Sequence, residues 1–142
     1  MDKRAIPNDL LLGEVTAVLR EGREAVIIPT GNSMLPFIRG GVDRVVLSPR
    51  IEATVGDIVL ARIGERYLLH RIIAREGDAL TLMGDGNLAG TESCSVADLL
   101  GTVTEIIRPD GRTRIPGRGR LWRILRPFRR YLLGIYRRLA RF

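Results

Sequence analysis

Three residue types that carry much of protein chemistry occur once each in this 142-residue chain: one cysteine, Cys94, one histidine, His70, and one lysine, Lys3. A single cysteine excludes an internal disulfide framework and any cysteine-based metal cluster, and it suits a reducing compartment. Cys94 itself is expected to be a small buried or half-buried apolar residue, and neither a metal nor a cofactor is expected. No uninterrupted apolar run is long enough to span a bilayer. The polar start, Met1 to Pro7, has no signal-peptide pattern. Acidic residues are missing from one region only: residues 111–142 hold 11 Arg and no Asp or Glu, whereas residues 1–110 hold 12 Lys+Arg against 16 Asp+Glu. The net charge of +7 therefore belongs to the tail. The length allows one domain burying roughly two-thirds of its surface and is too short for two ordinary ones.

What is present falls into three parts. Asn8 is placed to cap a helix over about 8–21, with Leu11, Leu12, Val15, Val18 and Leu19 recurring at three-to-four spacing before Glu21-Gly22. The period then shortens to strand-like runs at 25–29, 44–47, 57–63, 67–74, 79–83 and 102–107, with hairpin turns at 64–66 and 76–78 and one helical turn within 95–100. Many short strands with few helices predict a mainly β domain over 1–109, built on a twisted, partly closed sheet. Residues 110–119, rich in Gly, Pro and Arg, read as a linker, and 120–142 as a basic amphipathic helical tail.

The first run delivers the segment Thr30-Gly31-Asn32-Ser33-Met34-Leu35-Pro36. Gly31 and Pro36 stiffen a bend around Ser33 that can hold a hydroxyl and its neighbouring N–H groups in one geometry. On its own the segment equally fits a strand-end turn whose serine bonds its own backbone. A nucleophilic serine needs a base and donors for an oxyanion. Lys3, in the polar N-terminus on the far side of the first helix, is poorly placed for the first task, which leaves His70. His70 ends an apolar alternation that also suits a structural histidine. Asp85, between two glycines in Met83-Gly84-Asp85-Gly86-Asn87, can accept from the imidazole Nδ1–H and present Nε2 to Ser33, or can be an ordinary turn aspartate.

Together, Gly31-Asn32-Ser33-Met34-Leu35-Pro36, Val55-Gly56-Asp57-Ile58-Val59, Leu69-His70-Arg71-Ile72-Ile73 and Met83-Gly84-Asp85-Gly86-Asn87 resemble the ordered boxes of the signal peptidase and LexA-like serine peptidase superfamily, over about residues 25–107. One branch of that superfamily uses a Ser–Lys dyad. The endoplasmic-reticulum type and its sporulating-bacterial and archaeal relatives carry histidine in the third box, as this chain does. The resemblance implies Ser33 as nucleophile, His70 as base and Asp85 near the histidine, with Glu92, in Gly90-Thr91-Glu92, as a competing third member. Asn32 stands where signal peptidases usually carry a serine, so the oxyanion hole is expected from backbone N–H groups, chiefly that of Ser33, supported by Gly31, Asn32 and Met34, with Thr30 a further helper. The membrane helix expected before a signal peptidase's serine is replaced by the 8–21 helix.

The expected function is hydrolysis of a peptide bond in another polypeptide; the alternative is a regulatory or binding module, LexA-like or catalytically inactive. Self-cleavage is disfavoured, because residues 1–32 contain no Ala-Gly or Cys-Gly bond. In the tail, Leu121, Ile124, Leu125, Phe128, Leu132, Ile135, Leu139 and Phe142 share one helical face and Arg123, Arg126, Arg129, Arg130, Arg137 and Arg141 another, with a kink or a new start at Pro127. Such a helix suits an anionic membrane surface on the cytoplasmic side, or docking on its own domain, with nucleic-acid binding ranked third.

Overall fold

A computed structural model describes residues 8–140, with side chains from Leu12 to Leu139. Lys3, Arg141 and Phe142, and the side chains of Asn8 and Leu11, lie outside the described residues. The order of elements is α1 (Asn8–Arg20), β1 (Ala25–Ile27), β2 (Arg44–Ser48), β3 (Ile58–Ile63), β4 (Arg66–Glu76), β5 (Ala79–Met83), β6 (Glu92–Ser95), β7 (Leu99–Ile107), β8 (Thr113–Arg114), α2 (Arg120–Ile124) and α3 (Arg129–Ala140). Single 3-10 turns at Val96–Asp98 and Arg126–Phe128 precede β7 and α3.

The strands form one antiparallel sheet in the order β1-β2-β7-β3-β4-β5-β6, with β8 added to β7. The sheet curls without closing, since β1 and β6 remain its two edges. Gly64 and Gly77, both at positive φ, supply the left-handed residue that the two-residue hairpins joining β3 to β4 and β4 to β5 require. In the central strand β3, Ile58 and Leu60 face a core with Val15 and Leu19 of α1, while Val59 and Ala61 face a second core with Ile72, Leu80 and Leu82. This period-two division explains why four consecutive residues of β3 are buried.

The helix and the six strands expected from sequence are all found, with β4 and β7 longer than the periodic runs suggested. Ser95 caps the turn before β7: the Ala97 N–H donates to its Oγ at 3.1 Å, and its own N–H donates to Asp98 at 2.8 Å. β6 and β8 are additions. Glu92-Ser93-Cys94-Ser95 is a polar edge strand without apolar alternation, so periodicity does not signal it. The stretch read as a linker is tied down, because Thr113 and Arg114 pair with β7, Gly117 O accepts from Arg71 at 2.6 Å and Arg118 binds Asp57 at 2.7 Å. Cys94 is half-buried beside the second core. The tail is two helices rather than one, broken around Pro127.

Candidate active site

Ser33 lies in a compact bend between β1 and β2. The Leu35 N–H donates to Asn32 O at 3.2 Å, and the Phe37 and Ile38 N–H groups both donate to Met34 O at 3.0 Å. Met34, Leu35 and Ile38 are buried anchors, whereas Gly31 and Asn32 are exposed and Ser33 is half-buried. The bend is therefore pinned by apolar side chains while its serine reaches a cleft. It is closed behind by Asp43, fully buried, which accepts from the Arg39 N–H at 2.8 Å and from the guanidinium groups of Arg39 and Arg108.

The Gly84–Asn87 loop forms the wall behind the serine. Gly86 N–H donates to Ser33 O at 2.7 Å. A Cβ on Gly84 would lie 2.4 Å from Ser33 O and 3.1 Å from Ser33 Cβ, and one on Gly86 would lie 2.6 Å from Asn32 O. Close backbone approach, rather than turn conformation, accounts for both glycines. Met34 locks the same joint, its Sδ accepting from the Asp85 N–H at 3.5 Å.

His70, in β4 opposite Val59, is 8 % exposed. It shares with Ser33 a cleft of about 150 Å³, whose walls include Ile28, Pro29, Tyr67 and Leu68. Burial, the largest influence, pushes the imidazole pKa below its ordinary 6.5, reinforced by the Arg66 charge and opposed by Glu92 and then Asp85. The ring is thus held in its neutral, proton-accepting form. Ser33 and His70 line one cleft, and the hydrogen bonds among the described residues include none between them.

Asp85 does not accept from His70. Its carboxylate binds Arg71 through Nε at 2.8 and 3.2 Å and through Nη2 at 2.8 Å, and the His70 Nδ1 atom is buried without a partner. The expectation that Asp85 orients the imidazole is corrected accordingly. The reason is physical: a buried guanidinium offers two parallel charge-assisted bonds, which a neutral imidazole cannot match. The competitor Glu92 is half-buried at the start of β6 and bonds Arg66 at 3.2 Å.

Arg71 is the residue to which sequence reasoning gave no role. It is fully buried, and besides Asp85 it donates through Nη1 to Gly56 O at 2.8 Å and to Gly117 O, while its guanidinium stacks 5.2 Å from the Phe37 ring centroid. It thereby joins the serine bend, the Gly-Asp loop and the 110–119 stretch that leads into the tail. A partial signal was available: an arginine inside the apolar run Leu68 to Ile73 needs a carboxylate when buried, and the two neighbouring boxes offered Asp57 and Asp85 without choosing between them. Trp122 completes the wall from the tail, donating through Nε1 to Asp85 O at 2.8 Å and meeting Phe37 edge-on at 6.0 Å.

Among the described residues no group of three or more His, Cys, Asp or Glu side chains could hold a metal ion. No curated protein matches the sequence. The family model described as Peptidase S24-like matches residues 7–104, a span that includes the serine bend, β4 with His70 and Arg71, and the Gly-Asp loop. A match over well over half of the chain, on a curled antiparallel sheet, means that this protein belongs to the Peptidase S24-like family, within the LexA and signal peptidase superfamily.

Proposed function

We propose that the chain is a serine endopeptidase acting on another polypeptide. The observation that carries this reading is the shared cleft, with a neutral, buried imidazole and a hydroxyl on a rigid bend opening into one small apolar space. Ser33 Oγ attacks the scissile carbonyl as His70 takes its proton. The Ser33 N–H, which makes no backbone hydrogen bond among the described residues, faces the developing oxyanion. His70 then gives the proton to the departing amine, leaving an acyl-serine that water hydrolyses. The attack requires Oγ to come within hydrogen-bond reach of the ring in the substrate complex. Glu92 is the carboxylate left to steady the charged imidazole, since Asp85 spends both oxygens on Arg71. The apolar walls suit small residues beside the scissile bond.

Incubating the full chain with peptides rich in small residues, read by mass spectrometry, tests this. Cleavage is expected, lost by about a thousandfold or more in Ser33→Ala and in His70→Ala. The rate should persist as pH falls through 6.5 and drop only below it, because burial lowers the histidine pKa. Glu92→Gln, by removing a charge that raises that pKa, should move the acid limb lower still. Cleavage that survives His70→Ala would discard the histidine base. The partnerless Nδ1 favours the second reading, an inactive or regulatory relative; peptide binding without hydrolysis would establish it in place of the first.

A further inference from the structure

We infer that the outer face of the C-terminal helices, formed by Leu121, Ile124, Phe128, Tyr131, Ile135 and Leu139, is a seat for an anionic phospholipid surface. Within α2, Leu121 and Ile124 share one side at a spacing of three, and within α3, Tyr131, Ile135 and Leu139 share one side at a spacing of four, with Phe128 in the turn between the two helices. They are between 57 and 82 % exposed, although the segment is docked. Docking uses the neighbouring side instead. Leu133 is buried, and Arg129, also buried, lies 5.3 Å from the Trp122 ring centroid and donates to Asn87 O at 3.4 Å and to Met83 Sδ at 3.5 Å. The tail therefore packs on the Gly84–Asn87 wall and still presents an unpartnered apolar stripe. The two uses that sequence left as alternatives belong to two adjacent sides of one segment.

Charge selects the occupant. Arg120, Arg126, Arg130, Arg137 and Arg138 are exposed beside the stripe and have no carboxylate partner among the described residues. Residues 111–142 contain no acid to supply one. Arg126 and Arg130, with Leu88, Pro127 and Tyr131, line a cleft of about 380 Å³, which sets guanidinium groups beside exposed apolar side chains. Anionic lipid answers both features at once: phosphates meet planar guanidinium forks while the acyl boundary receives the stripe. A second copy seated through this face would bring two acid-free arginine rows together. Nucleic acid would satisfy the arginines and leave six apolar side chains in water.

Sedimentation of the full chain with phosphatidylcholine vesicles, with and without phosphatidylglycerol, tests the assignment independently of any peptidase activity. Binding to the anionic vesicles in physiological salt is expected, weakened by about tenfold or more without phosphatidylglycerol, and by about tenfold or more in Ile124→Ser/Phe128→Ser/Ile135→Ser, whose substitutions lie on exposed positions. Arg126→Gln/Arg130→Gln should bind more weakly and with a shallower salt dependence. Circular dichroism establishes that the variants fold. Absent sedimentation would overturn the inference, as would binding indifferent to the triple substitution, which would leave charge alone as the cause. Displacement from vesicles by millimolar inorganic phosphate would reassign the face to a soluble anion, and self-association lost in the triple variant would reassign it to a second copy.

Discussion

Arginine does opposite work in the site wall and in the tail. Around Ser33, each buried arginine or aspartate is matched: Arg71 with Asp85, and Asp43 with Arg39 and Arg108. In the tail, the exposed guanidinium groups beside the apolar stripe have no such match, and the one buried tail arginine, Arg129, rests on a tryptophan face, a sulfur and a carbonyl, with burial lowering its pKa. The lesson is that the acid-poor and acid-rich regions differ in what holds them, as well as in net charge. The wall is held by complementary charge in low dielectric, so losing one partner is costly. The tail's charges are solvated and contribute little to folding, so what they do must be read in binding.

The largest expected effect breaks the wall. Asp85→Ala leaves the Arg71 guanidinium buried without its carboxylate, and denaturant unfolding should show a loss of about 3–5 kcal/mol. Replacing both partners, Arg71→Met with Asp85→Leu, removes the stranded charge and should recover most of that loss. If Asp85→Ala costs no more than a surface substitution, Arg71 finds another partner and the wall is not charge-locked.

A smaller effect separates packing from charge. In Gly84→Ala the new methyl group must displace Ser33 O, 2.4 Å from the Cβ position, or the loop must retreat. Stability should fall by about 1–3 kcal/mol. Any peptidase activity should fall further than that implies, because the displaced atom belongs to the nucleophile's own residue. Gly90→Ala, with nothing within 4 Å, is the control in the next turn of chain. Equal behaviour of the two would mean that the loop does not brace the serine.

Sequence legibility followed the same division. Strands with alternating burial, such as β2 with Val45 and Leu47 inward, announced themselves through period two. The polar edge β6 and the two-residue β8 did not, since their pairing is decided by neighbours rather than by their own pattern. In the site, residue types and order drew attention to Ser33 and His70, which do line one cleft, whereas the partner of Asp85 was misassigned because a turn aspartate carries no record of which neighbour it faces. In the tail, Leu121, Ile124, Phe128, Ile135 and Leu139 of the expected apolar face are exposed together with Tyr131, whereas Leu125 and Leu132, expected on the same face, are half-buried. That a different side, with Trp122, Arg129 and Leu133, would dock could not be read from amphipathicity, because one docking residue is an arginine counted with the polar face.

The smallest expected effect concerns Gly134, in the middle of α3 between buried Leu133 and exposed Ile135. A Cβ there meets nothing within 4 Å, the residue is exposed, and the helical backbone suits alanine. Glycine in a helix interior costs about 0.5–1 kcal/mol relative to alanine, chiefly through the greater freedom it gives the unfolded chain, so Gly134→Ala should stabilise the tail by up to that amount. Thermal unfolding followed at helix-sensitive wavelengths would register a small rise in the midpoint or a sharper final helical transition. The same one-methyl change is thus expected to be unfavourable at Gly84 and favourable at Gly134, because one backbone is touched and the other is not. A loss of stability in Gly134→Ala would mean that something approaches the α3 backbone closely at this position, as Ser33 O does at Gly84.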